Sequence, residues 1–477
     1  MTQAARGKPL MNFGRRNFLT TVGGTATGAV LAGSGLRKSR AARRGQQQSA
    51  PWKLDVTIYD RPGWTSTMYG LPLLKRGNGE LVIGFQDQRE DAMTDDFYSA
   101  HAEWVFLAST SGGKAWNPVS LDSLPLDPNW RDRSAHCTNG WPVRLADGSL
   151  VNVVEEVRTR QQQRERLDKL GLGHLWFEDS TFGWDLWPAS HTSRLREQGL
   201  YVFDMPGPHI PEGIVATHNR PLVSTISKDG GRTWFERRIS GLPNFVRRGG
   251  WFRGGVALED GTVLGSMYGG IAIKGGDGLR YAAGAFALGT SDVGKTWQFA
   301  PIAHDPTGKQ RFNETTMLVL PSGRILAMLR SDGPPWLYRS NSDDGGRTWA
   351  EPSPTAIPGC PANLLQLASG NILCVFRHVG YPNGYRGVLS RDGGASWDVD
   401  HQIIIRDDTM PGLVGYPSSA QLDDGTILTV YNVLRVGKLQ PGDQWKYKQE
   451  VRVKPPLHSY IAGSLYTEDY VKPLGHS

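Results

Sequence analysis

Two tyrosines, two glutamates and two arginines stand at matched distances from six glycines of this 477-residue sequence. Each glycine opens a short apolar run. Counting nine residues back and seven forward from it gives the pairs Gly70 and Gln86, Asn139 and Glu155, Phe252 and Tyr268, Glu314 and Arg330, Pro361 and Arg377, and Tyr416 and Asn432. If the runs are strands around a common axis, these pairs ring one mouth. Glu314 and Tyr416 carry the sharpest chemistry there. A tyrosine hydroxyl, with a pKa of about 10, is a poor nucleophile until a neighbouring carboxylate takes its proton. Arginines beside them would hold an anionic group through paired N–H donors. The bland alternative is a solvated rim with internal ion pairs.

The elements that position these residues repeat. GNGELVIGF (77–85), ADGSLVNVV (146–154), EDGTVLGSM (259–267), PSGRILAML (321–329), ASGNILCVF (368–376) and DDGTILTVY (423–431) are each a glycine turn leading into an apolar, β-branched strand, with a second short apolar run before the turn. That is a hairpin signal, six times over. A polar phrase follows the first five hairpins: STSGGKAW (109–116), SKDGGRTW (227–234), TSDVGKTW (290–297), SDDGGRTW (342–349) and SRDGGASW (390–397). Its Asp can accept hydrogen bonds from the amides of its own turn, its glycines allow positive φ, and its Trp can wedge between neighbouring units. Ser111 replaces the Asp in the first phrase, which predicts a weaker staple there. Four strands repeated six times predict an all-β fold, a six-bladed β-propeller of four-stranded antiparallel blades.

The five phrases are similar to the Asp-boxes (BNR repeats) of the sialidase superfamily, and the resemblance extends over about 55–470. RFNETTMLVLPSGRILAMLR resembles the sialidase stretch with a general-base Glu and, sixteen residues on, an arginine that clamps the substrate carboxylate. The resemblance assigns these roles to Glu314 and Arg330. GYRGVLSRDGGASW resembles the next clamp element, giving Arg386, and GYPSSAQLDDGTILTVY resembles the nucleophile stretch, giving Tyr416. A tyrosine nucleophile is the sialidase exception among glycosidases, since a carboxylate would repel the anionic substrate. One element departs. Sialidases open with Tyr-Arg-Ile-Pro, whose Arg is the first of three in the clamp, whereas this chain has YGLP with Gly70 in that place. Arg89, Arg253 and Arg377 are the neighbouring arginines that could substitute. The family's acid/base Asp lies in the first unit's mouth-side connection, here DQREDAMTDDFYSAH (87–101). Asp95 and Asp96 fit its spacing best, with Glu90 and Asp91 behind them.

The expected activity is therefore that of an exo-glycosidase of sialidase type acting on a terminal, acidic sugar of a glycan. Glu155 and Tyr268 join the arginines as substrate-binding candidates. Two rivals stand beside it. One is a uronate lyase or another glycosidase of the superfamily; the lyase would use His136 or His218 to abstract the proton alpha to a carboxylate. A non-catalytic glycan-binding propeller would use the same mouth without chemistry.

Charge narrows the partners. The formal net charge is +7, but nine of the 53 Lys and Arg and no acidic residue lie in 1–50. That leaves 44 basic against 46 acidic residues, −2, for 51–477, so the basicity gives no argument for nucleic-acid binding. GRRNFLTTVGGTATGAVLAGSG, with Arg15 and Arg16 ahead of a weakly apolar run, resembles a twin-arginine export signal and is too short and glycine-rich to span a bilayer. The expected organisation is a signal and basic linker over 1–50 and the propeller over 51–477, with a periplasmic or extracellular location. An insertion at about 158–216 interrupts the propeller. Its aromatic residues Trp176, Phe177, Trp184 and Trp187 are candidates for a lid or a sugar-stacking wall. The three cysteines (Cys137, Cys360, Cys374) allow at most one disulfide. No histidine pair has metal-ligand spacing, and no cofactor or metal is expected.

Overall fold

The computed structural model describes 51–68, 71–90, 103–127, 140–156, 160–169, 171, 173, 185–197, 202–203, 213–217, 222–243, 245–248, 251, 253–275, 278–333, 335–378, 382–409, 415–435, 458–470 and 472–473. The fold is mostly β, as the alternating runs require. The described strands pair as six antiparallel four-stranded units. Unit one holds Leu74–Lys75, Leu81–Arg89, Glu103–Ser109 and Asn117–Pro118. Unit two holds Val143–Arg144, Leu150–Glu155, Leu222–Ser227 and Phe235–Arg238. Unit three holds Gly255–Ala257, Val263–Gly275, Gly278–Thr290 and Gln298–His304.

Units four and five share one long strand, Ser353–Gln366. Its first half pairs with Trp336–Ser342 of unit four, behind Phe312–Val319 and Ile325–Ser331. Its second half opens unit five, ahead of Ile372–His378, Gly384–Ser390 and His401–Arg406. Unit six holds Ser418–Gln421, Ile427–Arg435 and His458–Tyr466, and its outer strand is Lys53–Tyr59 from the other end of the chain.

The first hairpin of each unit turns at the glycine read from the sequence. Gly79, Gly148, Gly261, Gly323, Gly370 and Gly425 all have φ between 82° and 90°, a region costly for any side chain.

Apolar residues collect at the seams. Separate buried clusters join units one and two, two and three, three and four, four and five, and five and six, and a further one joins six back to one. Full burial of each Leu, Ile or Val in them stabilises by about 1.5–3 kcal/mol.

The polar phrases staple these seams as anticipated. Asp344 accepts from Ser342 Oγ (2.8 Å), the Arg347 and Thr348 amides (3.1 and 2.9 Å) and Thr348 Oγ1 (2.6 Å). Asp229 and Asp292 repeat the set. Of its turn's amides Ser111 accepts only that of Ala115, at 2.8 Å, against two at Asp344, so the first staple is the weaker one.

Two expectations need correction. Thr67, not Gly70, stands opposite Gln86, while Leu74 stands opposite Val82. The strand entering unit one therefore carries three more residues than its partner between those points. Met68, Leu71 and Leu73 of that bulge are buried at the seams, which explains why a strict count from Gly79 loses register. Trp187 is not a wall for sugar: it is fully buried, with Nε1 donating to Thr217 Oγ1 at 2.8 Å. It centres a small core with Leu167, Leu195, Val202 and Val215, built from the helix Arg160–Lys169, the helix Thr192–Glu197 and a three-stranded sheet. Trp176, Phe177 and Trp184 lie outside the described residues.

Candidate active site

Tyr416 is held at the start of unit six by backbone bonds. Its amide donates to Met68 O at 3.1 Å, and the amide of Gly415 donates to Asn432 Oδ1 at 2.6 Å. A Cβ on Gly415 would stand 2.4 Å from that oxygen, so the close approach requires glycine. Asn432, the partner that counting assigns to Tyr416, thus fixes the backbone beside the phenol. The ring is buried, and its hydroxyl donates to Glu314 Oε1 at 2.8 Å.

Glu314 reaches Tyr416 from unit four because its strand bulges. Asn313 pairs with Arg330 and Thr316 with Met328, so one extra residue lies between them, and Glu314 has φ 23°. A positive φ at a non-glycine residue costs about 1–3 kcal/mol and persists only where the surroundings impose it. Here Glu314 Oε2 also accepts from Arg330 Nη1 at 2.7 Å. Burial, the largest single influence, works against the Arg330 charge, but the attraction and hydrogen bond of Glu314 together with Cys360 and Tyr416 raise the arginine pKa.

Arg253 comes from the other side. Its guanidinium carbon lies 5.4 Å from the centre of the Tyr416 ring, and Nη2 donates to Pro417 O at 3.3 Å. Nη1 is buried with no hydrogen-bond partner, and burial pulls the pKa down to about 10 against the attraction of Tyr416 and Glu314. Arg253 has φ 58°, so two of the three positive-φ non-glycine residues among those described surround Tyr416. Two guanidiniums flanking one carboxylate leave the pocket around the phenol able to accept an anion.

Beneath the cluster lies a cavity of about 40 Å³, lined by Pro72, Arg253, Ser266, Thr316, Asn363 and Ser419. Units one, three, four, five and six thus meet at one place.

The remaining candidates fall elsewhere. Arg386, expected beside Arg330, is buried on the third strand of unit five, and its Nη1 donates outward to Gln402 Oε1 at 3.1 Å. On that strand it stands between Phe376 and Ile404, and its Nε is buried with no hydrogen-bond partner among the described residues. Arg377 is half-buried at the end of Ile372–His378, and its carbonyl oxygen is 2.2 Å from where a Cβ on Gly359 would stand. Glu155 is buried at the end of Leu150–Glu155, opposite Leu222, and Tyr268 is half-buried opposite Ala285. Arg89 is exposed at the end of Leu81–Arg89. Glu90 is already engaged by His458 Nδ1 at 3.0 Å. Asp95, Asp96, Asp91, His136 and His218 lie outside the described residues.

Counting missed Asp87. It is fully buried at the seam of units six and one, accepting from Ser66 Oγ (2.8 Å) and Tyr59 OH (2.9 Å). Burial raises its pKa, and burial together with Asp87 pushes Tyr59 up to about 12. The only sequence signal is an acidic residue inside the polar end of a buried strand, GFQDQR.

Residues 206–432 match the family model for a BNR repeat-like domain, the stretch that carries four of the five staples and the Glu314–Arg330–Tyr416 cluster. The match covers just under half of the chain and supports a place in the sialidase-like superfamily. A sialidase of Bacteroides fragilis is 22% identical over 395 residues, covering 77% of this chain and 60% of that protein, so the present chain spans about three fifths of its relative's length. Among solved structures, a protein of unknown function from Dyadobacter fermentans superposes with a TM-score of 0.57 at 19% identity, over 87% of this chain and 97% of the other. An intramolecular trans-sialidase of Ruminococcus gnavus gives a TM-score of 0.46 at 14% identity, over 88% and 96%. Beside the Tyr416–Glu314–Arg330 cluster the sequence has Gly70 where the resemblance leads one to expect an arginine, and it is Arg253 that lies near the phenol.

Proposed function

We propose that this superfamily member is an exported, six-bladed propeller glycoside hydrolase that removes a terminal, carboxylated sugar from a glycan, with Tyr416 as nucleophile. The observation that carries the reading is the 2.8 Å hydrogen bond from Tyr416 to Glu314. In the first step the Tyr416 oxygen attacks the anomeric carbon while Glu314 takes the phenolic proton, and the bond from that carbon to the leaving oxygen breaks. The leaving oxygen takes a proton from an acid, for which Asp95 or Asp96 is the candidate. Water, deprotonated by that same carboxylate, then cleaves the glycosyl–tyrosine ether, and Glu314 returns the proton to the phenol. Arg330 and Arg253 hold the sugar carboxylate, Arg253 Nη1 offering a donor without a partner. The six seams, the last joining unit six to unit one, support the propeller arrangement. Residues 51–477 form it, interrupted by the insertion at about 158–216, and the Arg15–Arg16 stretch directs export.

The test is trapping. A 3-fluorosialosyl fluoride should label the protein one to one, and peptide mass spectrometry should place the adduct on Tyr416. Tyr416→Phe should abolish labelling and turnover of a chromogenic sialoside with little change in melting. Labelling on another residue, or release of an unsaturated sugar absorbing near 235 nm from a uronate polymer, would overturn the reading in favour of other chemistry.

A further inference from the structure

The seam between units one and two breaks the pattern of the others. In four staples the second glycine rests on an apolar side chain of the unit before it. An added Cβ would stand 2.6 Å from Leu428 at Gly113, 2.5 Å from Leu264 at Gly346, 2.5 Å from Leu326 at Gly394 and 3.0 Å from Ile226 at Gly294. The tryptophans of those staples, Trp116, Trp297, Trp349 and Trp397, pack against the seam clusters. In the staple 227–234, Gly231 faces Pro125 instead, with its Cα at 3.0 Å, and Trp234 belongs to no seam cluster.

The cause is the segment 121–127 that links the two units. It begins with a short 3₁₀ turn, Leu121–Ser123, and places Leu124 and Leu126 in the seam, where unit two contributes only Trp141 among the described residues. The segment acts as a wedge and opens a cleft of about 920 Å³ at the turn end of the units, the end away from Tyr416. Ligand sites commonly have volumes of about 300–1,000 Å³.

Three arginines from three different turns line this cleft, with Trp234 beside them. The side chain of Arg232 has no hydrogen-bond partner among the described residues. Arg144 reaches only the turn carbonyl of Gly148, at 3.3 Å, and Arg76 is shared with Glu80 at 2.7 Å. Trp234 is half-buried, its Nε1 tied to Gly231 O at 3.0 Å, so the ring is held while part of its surface stays open. Asp122 and Asp127 also line the cleft, and Asp122 offers it hydrogen-bond acceptors for hydroxyls.

We infer that this cleft is a second saccharide site, which binds a carboxylated sugar unit of a glycan chain without cleaving it. Arg144 and Arg232 would pair with the carboxylate, and Trp234 would lie against the sugar ring. The ligand class follows from the cleft's own chemistry and rests on the glycan-hydrolase reading only for a glycan as its source.

The experiment is calorimetric titration of the full chain with an α2,8-linked sialic acid tetramer, with tetragalacturonate and with neutral maltotetraose. Wild-type protein should show a site for at least one acidic tetramer that Arg330→Ala leaves intact and that Arg144→Ala/Arg232→Ala weakens at least tenfold. Turnover of a small chromogenic sialoside and the melting temperature should stay unchanged in that double variant. Equal binding of maltotetraose at this site, or unchanged acidic-tetramer affinity in the double variant, would overturn the inference. Because the titration reads binding directly, it tests the cleft even in a protein that fails to turn over sialosides.

Discussion

Replacing Glu314 by Gln isolates the proton-transfer role of the cluster. The carboxylate now accepts two donors, Tyr416 OH at 2.8 Å and Arg330 Nη1 at 2.7 Å. A glutamine has one oxygen for both. That oxygen must turn to Arg330, because an NH₂ group facing a guanidinium sets donor against donor. The NH₂ group then faces the phenol, which can only accept from it and has lost its base. General-base loss lowers turnover by about 10²–10⁴, or about 3–5 kcal/mol of barrier. The stability cost is smaller. One charge-assisted bond becomes neutral, and with Arg330 still 32% exposed the loss is about 1–2 kcal/mol. Relief from burying a carboxylate offsets part of it. Glu314→Gln should therefore lower kcat on a chromogenic sialoside at least a hundredfold while Tm, read by scanning calorimetry, falls by only a few degrees. Combining it with Tyr416→Phe should give a variant no slower than the worse single one. A Glu314→Gln enzyme within threefold of wild-type kcat would refute the assignment of Glu314 as the base.

The staples predict an acid limb. Asp344 and Asp392 are held down to about 2, chiefly by the hydroxyl and amide of Thr348 and of Ser396, against an ordinary value of about 3.9. Depressed carboxylates contribute stability that is complete above the unfolded value and lost as pH falls through the folded one. Tm should thus drop between pH 4 and pH 2, and Asp344→Ala should flatten that drop while lowering Tm at pH 7; an unchanged pH profile would argue against the staple. Gly140→Ala should act on the site from a distance, since its Cβ would stand 1.9 Å from the Arg253 carbonyl carbon. KM for an anionic substrate should rise about tenfold, the scale of one weakened charged contact, and an unchanged KM would exclude Arg253 from substrate binding. A chain starting at residue 51 should melt like the full chain, whereas one starting at residue 61 loses the strand Lys53–Tyr59 and should unfold or associate, as read by calorimetry and size-exclusion chromatography.

The sequence marks local turns better than long-range pairing. All six hairpin glycines and the five staples were legible, because each depends on residues within eight positions that only glycine, Asp or Ser can serve. Counting outward from those turns also reached Glu314, Arg330 and Tyr416, although at Glu314 it is one residue out of register, because a bulge sets Asn313 opposite Arg330. It failed at Gly70, where three extra residues loop out on buried apolar side chains that read like strand continuation. Arg386 was assigned by likeness of motif, and only the cross-strand bond to Gln402 shows its direction. Trp187 looked like a surface aromatic because its burial depends on partners from Leu167 to Val215 in an insertion with little periodicity. Arg253 owes its place to a left-handed backbone and the close approach of Gly140, neither of which leaves a pattern in composition.

The outer strand of unit six has a consequence for timing. Lys53–Tyr59 pairs with His458–Tyr466, residues separated by about 400 positions, and the same unit carries Tyr416. Bringing such distant segments together costs about 5 kcal/mol of chain entropy, though doubling the distance adds only about 0.6. This pairing can therefore form on either schedule of folding, but never before residue 466 has been synthesised. Until then the strand Lys53–Tyr59 lacks this partner, and Ile427–Arg435, which pairs with Ser418–Gln421 beside the phenol, lacks its second neighbour. On the proposed glycosidase reading, activity then begins only in a chain whose two distant strands have met, so that each active molecule is one in which synthesis has passed the whole of unit six.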